Sequence, residues 1–334
     1  MENSSIDKTK PLLEVKNLSK SFSVEKDFFG RTKKSLRAVH DLSFKLYPGE
    51  CLSLVGESGC GKSTTARLIA KLIEADSGEV VFDDENFFNL DSRDLRQKRQ
   101  DLQMVFQNPF SSLDPRYTIF SSIAEPLHVH KRGSKEEIET RVYELLELVD
   151  LPKELAQKYP HECSGGQNQR VSIARALALN PKLIICDEAV SALDVSVQAN
   201  VLELLKKLQK ELQISFLFIA HDLGVVKMIS DRVAVMYLGE IVELADAQTL
   251  FANPKHPYTK ALIASAPIAD PKQRNRKKIL LEGEIPKPTD IPPGCPFHTR
   301  CPEAQASCRE QVPEVIALQQ GSKESFVKCP IVLA

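Results

Sequence analysis

Long apolar runs are missing from this 334-residue chain; the strongest, such as Ile214–Ala220 (ISFLFIA), fall far short of the ~18 residues a membrane-spanning helix needs. An excess of either charge is missing too. Lys and Arg total 44 and Asp and Glu 45, a net charge of −1, so no whole-chain attraction to nucleic acid exists. The opening stretch, MENSSIDKTKPLLEV, has no apolar secretory segment, and the expectation is a cytosolic protein that meets a membrane only through a partner. In such a compartment the eight cysteines do not form a disulfide framework, so their spacing is read for metal binding. What is present is ordinary for a folded protein: 42% hydrophobic and 27% charged residues exclude disordered and collagen-like chains. The length is about twice the ~150 residues of a typical domain, which implies one large domain with a smaller appendage, or two domains.

Residues 12–56 alternate short β-like runs with turn signals: LLEV, LRAV, LSFKLYPGE with its Pro48-Gly49 turn, and CLSLVG. The mixed segment Glu25–Ser35 between them reads as an exposed loop. From Lys62 the spacing turns helical in KSTTARLIAKLI, so a strand leads into a helix. Three further apolar runs, Leu102–Phe106, Leu183–Cys186 and Phe216–Ala220, alternate with helical stretches and predict a parallel sheet covered on both faces. A helical block without strand signals, about 117–178, lies between the first two. After about Pro267 the chain becomes a linker rich in Pro and Lys and then a cysteine-bearing tail. The basic run Lys272–Lys278 is read as solvated linker in preference to a contact with lipid or nucleic acid.

Gly56–Thr64 reads GESGCGKST, the G-x-x-x-x-G-K-[ST] pattern, directly after an apolar strand and at the start of a helix. Gly56, Gly59 and Gly61 let successive backbone NH groups, those of Ser58 and Cys60 among them, face an anion. Lys62 adds a point charge for the β- and γ-phosphates, and Ser63 offers a hydroxyl to Mg²⁺. Asp187 and Glu188 follow the LIIC strand, at the end where ligands of open α/β sheets sit; one acid can hold Mg²⁺ and the next polarise an attacking water. Gln107 and His221 end two more strands and belong to the same expected site. CSGGQNQR (Cys163–Arg170) precedes a helix and forms a second anion-binding design. Since only one lysine loop exists, the second design is expected to serve a nucleotide on another subunit.

GESGCGKST, Gln107, SGGQ, Asp187-Glu188, SALD (Ser191–Asp194) and His221 occur in the order of an ATP-binding-cassette ATPase. With FQNPFSSLDPR, YPHECSGGQNQR, DEAVSALDVSVQ, VMYLGEIVE, HPYTKAL and GCPFHTRCP, the chain resembles the ATP-binding subunit of bacterial oligopeptide/dipeptide importers, the F-type subunit of the heterodimeric pair, from about Leu12 to Cys329. The resemblance implies an α/β fold, a P-loop NTPase (RecA-like) core with an antiparallel β subdomain, the helical subdomain at 117–178 and a small Cys-rich lobe. It divides the chain into an ATP-binding domain, 1–266, and a metal-binding C-terminal region, 267–334.

For the site, the resemblance implies Lys62, Ser63 and Thr64 on ATP phosphates and Mg²⁺, Gln107 and Asp187 on the metal and attacking water, Glu188 as catalytic base and His221 at the γ-phosphate. Ser164, Gly165, Gly166 and Gln167 would close over the partner's ATP, Asp194 would link the two sites, and Phe22 would stack on adenine where the family often has tyrosine. Cys163 and Ala189 depart from the commonest residues at their positions but lie outside the donors. The stretch Asn108–Arg116, directly after Gln107, is expected to meet the membrane subunits. The implied assembly is a second ATP-binding subunit, two membrane permeases and an extracytoplasmic peptide-binding protein, at the cytoplasmic face of the inner membrane as a peripheral subunit, without nucleic acid. The alternative, a soluble cassette ATPase acting on nucleic acid or the ribosome, lacks the tandem cassettes or coiled-coil insertion usual there; a GTPase lacks its Asn-Lys-x-Asp motif.

Cys295, Cys301, Cys308 and Cys329 are spaced C-x5-C-x6-C-x20-C, and three of them precede proline. Spacing alone leaves an iron–sulfur cluster and a Cys₄ zinc site open. The resemblance favours [4Fe-4S] over Zn²⁺.

Overall fold

The structure is a computed structural model that describes residues 9–26, 32–265, 283–318 and 324–333. The basic run Lys272–Lys278, the linker after Pro267 and most of the opening stretch lie outside the described residues. The chain divides into two compact units, one built chiefly from residues 48–50 and 89–219, the other from 11–47, 51–88 and the described part of 220–334.

The first unit holds three parallel strands in the order Leu102–Val105, Leu183–Asp187, Ser215–Ala220. The second and third are buried along their whole length, as apolar runs covered on both faces must be. Helices Ile119–Val129, Lys135–Leu148 and Gly165–Leu177 pack on one another. Their starts are written in side chains: Thr118 caps the first, and Ser134 and Glu137 form a reciprocal capping box on the second. Helix Val195–Leu212 buries Val201, Leu204, Leu205 and Leu208, an apolar stripe at helical spacing.

The second unit contains an antiparallel sheet in the order Thr32–Leu46, Leu13–Lys26, Ser77–Phe82, Glu85–Asn86. Its buried face carries Leu13, Val15, Leu18, Leu42, Phe44, Leu46, Val80 and Phe82. A second run of strands places Cys51–Val55 parallel to Arg232–Tyr237, followed by antiparallel Glu240–Asp246, then Phe326–Val327 and Ile316–Ala317. The turn at Leu238 (φ 44°) and Gly239 (φ 89°) has both central residues left-handed, the geometry that matches a twisted hairpin. The tail strands therefore extend the edge of this unit's sheet.

One expectation is corrected here. Glu25–Ser35 is not a simple loop, because the two long strands carry the hairpin outward, with Glu25 opposite Lys34 and Lys26 opposite Thr32; residues 27–31 lie outside the described residues. Its charge masked the strand: in a two-stranded ribbon no face need be apolar, and the backbone ladder alone holds the register, with repeated bulges. Among the described residues no helix is long and apolar enough to cross a membrane.

Candidate active site

In the second unit the loop after strand Cys51–Val55 turns into helix Lys62–Ile69, with Gly61 as the left-handed residue that starts it (φ 108°). A side chain on Gly56 would sit 2.2 Å from the Met236 carbonyl oxygen, and one on Gly61 would sit 2.1 Å from that of Ala38. Neither position admits a Cβ, so the backbone is pressed against its support. Lys62 is buried, and its Nζ donates to the carbonyls of Gly56 (2.8 Å) and Glu57 (3.1 Å). These are weak neutral acceptors that a phosphate oxygen can replace. Burial raises the pKa of the Cys60 thiol, opposed by Lys62, which leaves Cys60 a neutral packing residue. His221 and Asp222 share with Gly56, Glu57 and Leu262 a cavity of about 320 Å³. The histidine thus opens onto the start of the phosphate loop.

In the first unit Asp187, 6% exposed, closes strand Leu183–Asp187, and Glu188 follows at φ 50°, a conformation that costs a non-glycine residue energy. The Glu188 NH donates to the Ile219 carbonyl (3.0 Å), which fixes the turn to the neighbouring strand. Gln107 Nε2 donates to Glu188 Oε2 (2.8 Å) and to Ser191 Oγ (3.3 Å), while Ser191 Oγ donates to the Glu188 carbonyl (2.9 Å). Two residues 81 positions apart in sequence are thereby brought into one polar cluster.

Ser164 caps helix Gly165–Leu177: its Oγ accepts from the Gln167 NH (3.2 Å) and its own NH donates to Gln167 Oε1 (2.9 Å). Gly166 faces Val197, whose Cγ1 would be 2.4 Å from an added Cβ, so the helix that begins after Asp194 packs directly on the double-glycine turn. Phe22 is 39% exposed, with the Lys20 ammonium 5.6 Å from its ring centroid. It is a surface ring and not a core residue.

All eight cysteines are free thiols. The tail cysteines neighbour one another: burial pushes the Cys295 thiol up to about 11, with Cys308, Cys329 and Cys301 adding to the rise. Main-chain NH groups of Phe297, Glu303 and Ile331 bond the sulfurs of Cys295, Cys301 and Cys329. Among the described residues, however, no three His, Cys, Asp or Glu side chains are gathered in a metal-ligating arrangement, neither these cysteines nor the Mg²⁺ residues.

Reading the sequence residue by residue passes over Glu57, Tyr258 and Arg300. The Glu57 NH donates to the Tyr258 hydroxyl (3.0 Å), and Arg300 forms two bonds with the Glu57 carboxylate. One signal was available, since an acid in a loop built for a triphosphate is out of place.

A phosphate loop with a buried lysine, on a chain that also carries paired strand-end acids and a serine-capped glycine turn, defines a nucleotide-binding ATPase of the cassette class. Residues 39–191 match the family model for the ABC transporter, and residues 242–308 match that for the oligopeptide/dipeptide transporter C-terminal region. The chain is 49% identical over 331 residues to the oligopeptide transport ATP-binding protein OppF of Salmonella typhimurium, with 98% of each chain covered. It is 47% identical over 320 residues to the corresponding protein AppF of Bacillus subtilis, covering 95% of this chain and 96% of that one. A dimeric ATP-binding cassette solved in a post-hydrolysis state with ADP and Pi superposes with a TM-score of 0.62 at 31% identity, over 70% of this chain and 98% of that one. The chain belongs to the oligopeptide transport ATP-binding protein family of the ABC transporters, and its fold is the P-loop NTPase expected from the sequence.

Proposed function

We propose that this chain is the ATP-binding and hydrolysing subunit that powers import of oligopeptides or dipeptides through an ABC transporter. The observation that carries the catalytic part is the Gln107–Glu188 bond of 2.8 Å at a strand end, which aims a carboxylate with its amide partner in place. Similarity over nearly the full length of two oligopeptide transport proteins supports the coupling to peptides.

In this mechanism the NH groups of the loop from Gly56 to Thr64, Ser58, Gly59 and Cys60 included, turn to wrap the phosphates of ATP. Lys62 leaves its two carbonyl acceptors for the β- and γ-phosphate oxygens. Ser63, Gln107 and Asp187 are hard oxygen donors of the kind that suit Mg²⁺, which when bound neutralises charge on the phosphates. Glu188 accepts the proton of the attacking water, and Gln107 orients both. His221 contacts the γ-phosphate and reports its presence. Ser164, Gly165, Gly166 and Gln167 present helix-start donors to ATP held by a second ATP-binding subunit, Asp194 links the two sites, and Phe22 stacks on adenine. Two membrane permeases would meet the stretch Asn108–Arg116, where Phe110 is 52% exposed, and an extracytoplasmic peptide-binding protein would deliver substrate. The chain itself then sits peripherally at the cytoplasmic face, with ATP-binding residues up to about 266 and a cysteine-rich region beyond.

The four thiols of that region, Cys295, Cys301, Cys308 and Cys329, three of which bond main-chain NH groups, are the soft donors that a [4Fe-4S] cluster takes, and the family resemblance favours that group over the Zn²⁺ that four thiols would also suit. Such a centre would staple the tail. Anaerobically purified chain should hold iron and sulfide near four each, as a four-iron cluster requires, and one zinc without sulfide would contradict that assignment. The functional test is isolation of the chain from membranes: a second cassette protein and two membrane subunits are expected with it, and a nucleic-acid or ribosomal partner in their place would overturn the reading.

A further inference from the structure

Glu57 is the single acid of GESGCGKST, and an unneutralised carboxylate there would repel the triphosphate the loop is built to hold. Arg300 meets it as a two-pronged pair: Nη1 donates to Oε2 at 2.8 Å and Nη2 to Oε1 at 3.0 Å. The Arg300 side chain is 5% exposed and that of Glu57 24%, so solvent screens this pair only in part. Arg300 belongs to the cysteine-bearing tail, one residue before Cys301. Its approach is fixed by Phe297, 1% exposed, whose ring lies 5.3 Å from that of Tyr237 and 5.4 Å from that of Tyr258. The guanidinium itself stands 5.9 Å from the Tyr237 centroid. Three contacts converge on Glu57: its side chain touches the tail, its NH touches Tyr258, and its carbonyl accepts from Lys62 Nζ at 3.1 Å.

We propose that Arg300 is a positioning residue for the phosphate loop, neutralising Glu57 and holding its backbone so that the C-terminal tail sets the affinity for ATP. The inference rests on the reading of GESGCGKST as the ATP phosphate loop. It makes the tail part of the nucleotide site's support.

The experiment measures binding of a fluorescent ATP analogue with Mg²⁺ to the full chain, with thermal midpoint and protease resistance of the tail recorded for each variant. Arg300→Met should weaken binding at least about tenfold, because a half-buried carboxylate beside the phosphate site loses its partner. Adding Glu57→Gln to Arg300→Met should recover most of that loss, since no charge then needs neutralising, and raising ionic strength should narrow the gap between Arg300→Met and wild type. A purely structural Arg300 would show neither the rescue nor the salt effect. Arg300→Lys keeps the charge without the fork and should lose about threefold; it carries the same comparison with Glu57→Gln if the methionine variant does not fold. Affinity equal to wild type in the arginine variants, or a loss that Glu57→Gln leaves untouched, would overturn the proposal. Failure of the wild-type chain to bind the analogue would instead sink the phosphate-loop reading itself.

Discussion

Glu188 is the residue on which hydrolysis is expected to turn. It sits in a left-handed conformation, its NH is tied to Ile219, and its carboxylate is bonded by Gln107, so the side chain is held before any nucleotide arrives. Glu188→Gln keeps the shape and removes the base; turnover in the assembled transporter should fall at least ~10³-fold, about 4 kcal/mol of barrier, while ATP still binds. Lys62→Ala should do the reverse and weaken ATP binding. Equilibrium binding and single-turnover hydrolysis separate the two, and near-normal turnover by the glutamine variant refutes the assignment. At Gly166 the constraint is steric. Gly166→Ala brings a methyl to 2.4 Å from Val197 Cγ1, and overpacking of this kind costs about 1–3 kcal/mol. Val197→Ala in the same chain should return most of that stability in a denaturant titration; no recovery would mean that the crowding lies elsewhere.

Elements differ in how much of them the sequence reveals. The buried strands Leu183–Asp187 and Ser215–Ala220 and the helix after Lys62 announce themselves, because an apolar run between polar flanks has few other places to go. The Thr32–Leu46 strand is less legible, being half ribbon and half core, and the Arg300–Glu57 pair spans 243 positions, which no local pattern encodes. The turn at His256–Thr259 is similar. Its Glu243 anchor accepts from the NH groups of Lys255 and His256, both at 2.8 Å, and His256 Nδ1 accepts from the Tyr258 NH at 3.0 Å. Burial, with Lys260 adding to it, pushes the His256 pKa down to about 3, so the folded chain keeps this ring neutral while the unfolded chain protonates it near 6.5. The stability that neutrality confers is complete above pH 6.5 and is lost as the pH falls toward 3. Between pH 7.5 and 5.5 it should drop by about 1 kcal/mol, on the order of a few °C in thermal midpoint. Burial raises the Glu243 pKa and slopes the other way, so the comparison is with His256→Gln, whose midpoint should fall less over that interval. Equal falls in the two chains would contradict the assignment.

At the scale of the whole molecule, one phosphate loop and one serine-capped glycine turn imply ATP sites completed by a second cassette, so the isolated monomer should be a poor ATPase. Full hydrolysis by a demonstrably monomeric chain would rule out shared sites. Peptide import as such is not written in any residue of the nucleotide site, which handles phosphate whatever is being moved; it is legible only through the chain-long likeness to oligopeptide transport proteins. The central claim joins the two, ATP hydrolysis at Glu188 and movement of peptide. The most direct measurement is simultaneous ATP hydrolysis and labelled-peptide uptake in vesicles carrying the transporter assembled with either the wild-type chain or Glu188→Gln. Both rates should be present together in the first and fall together, by at least ~10³-fold in hydrolysis, in the second. Peptide uptake that continues at the wild-type rate with Glu188→Gln in place would contradict the account.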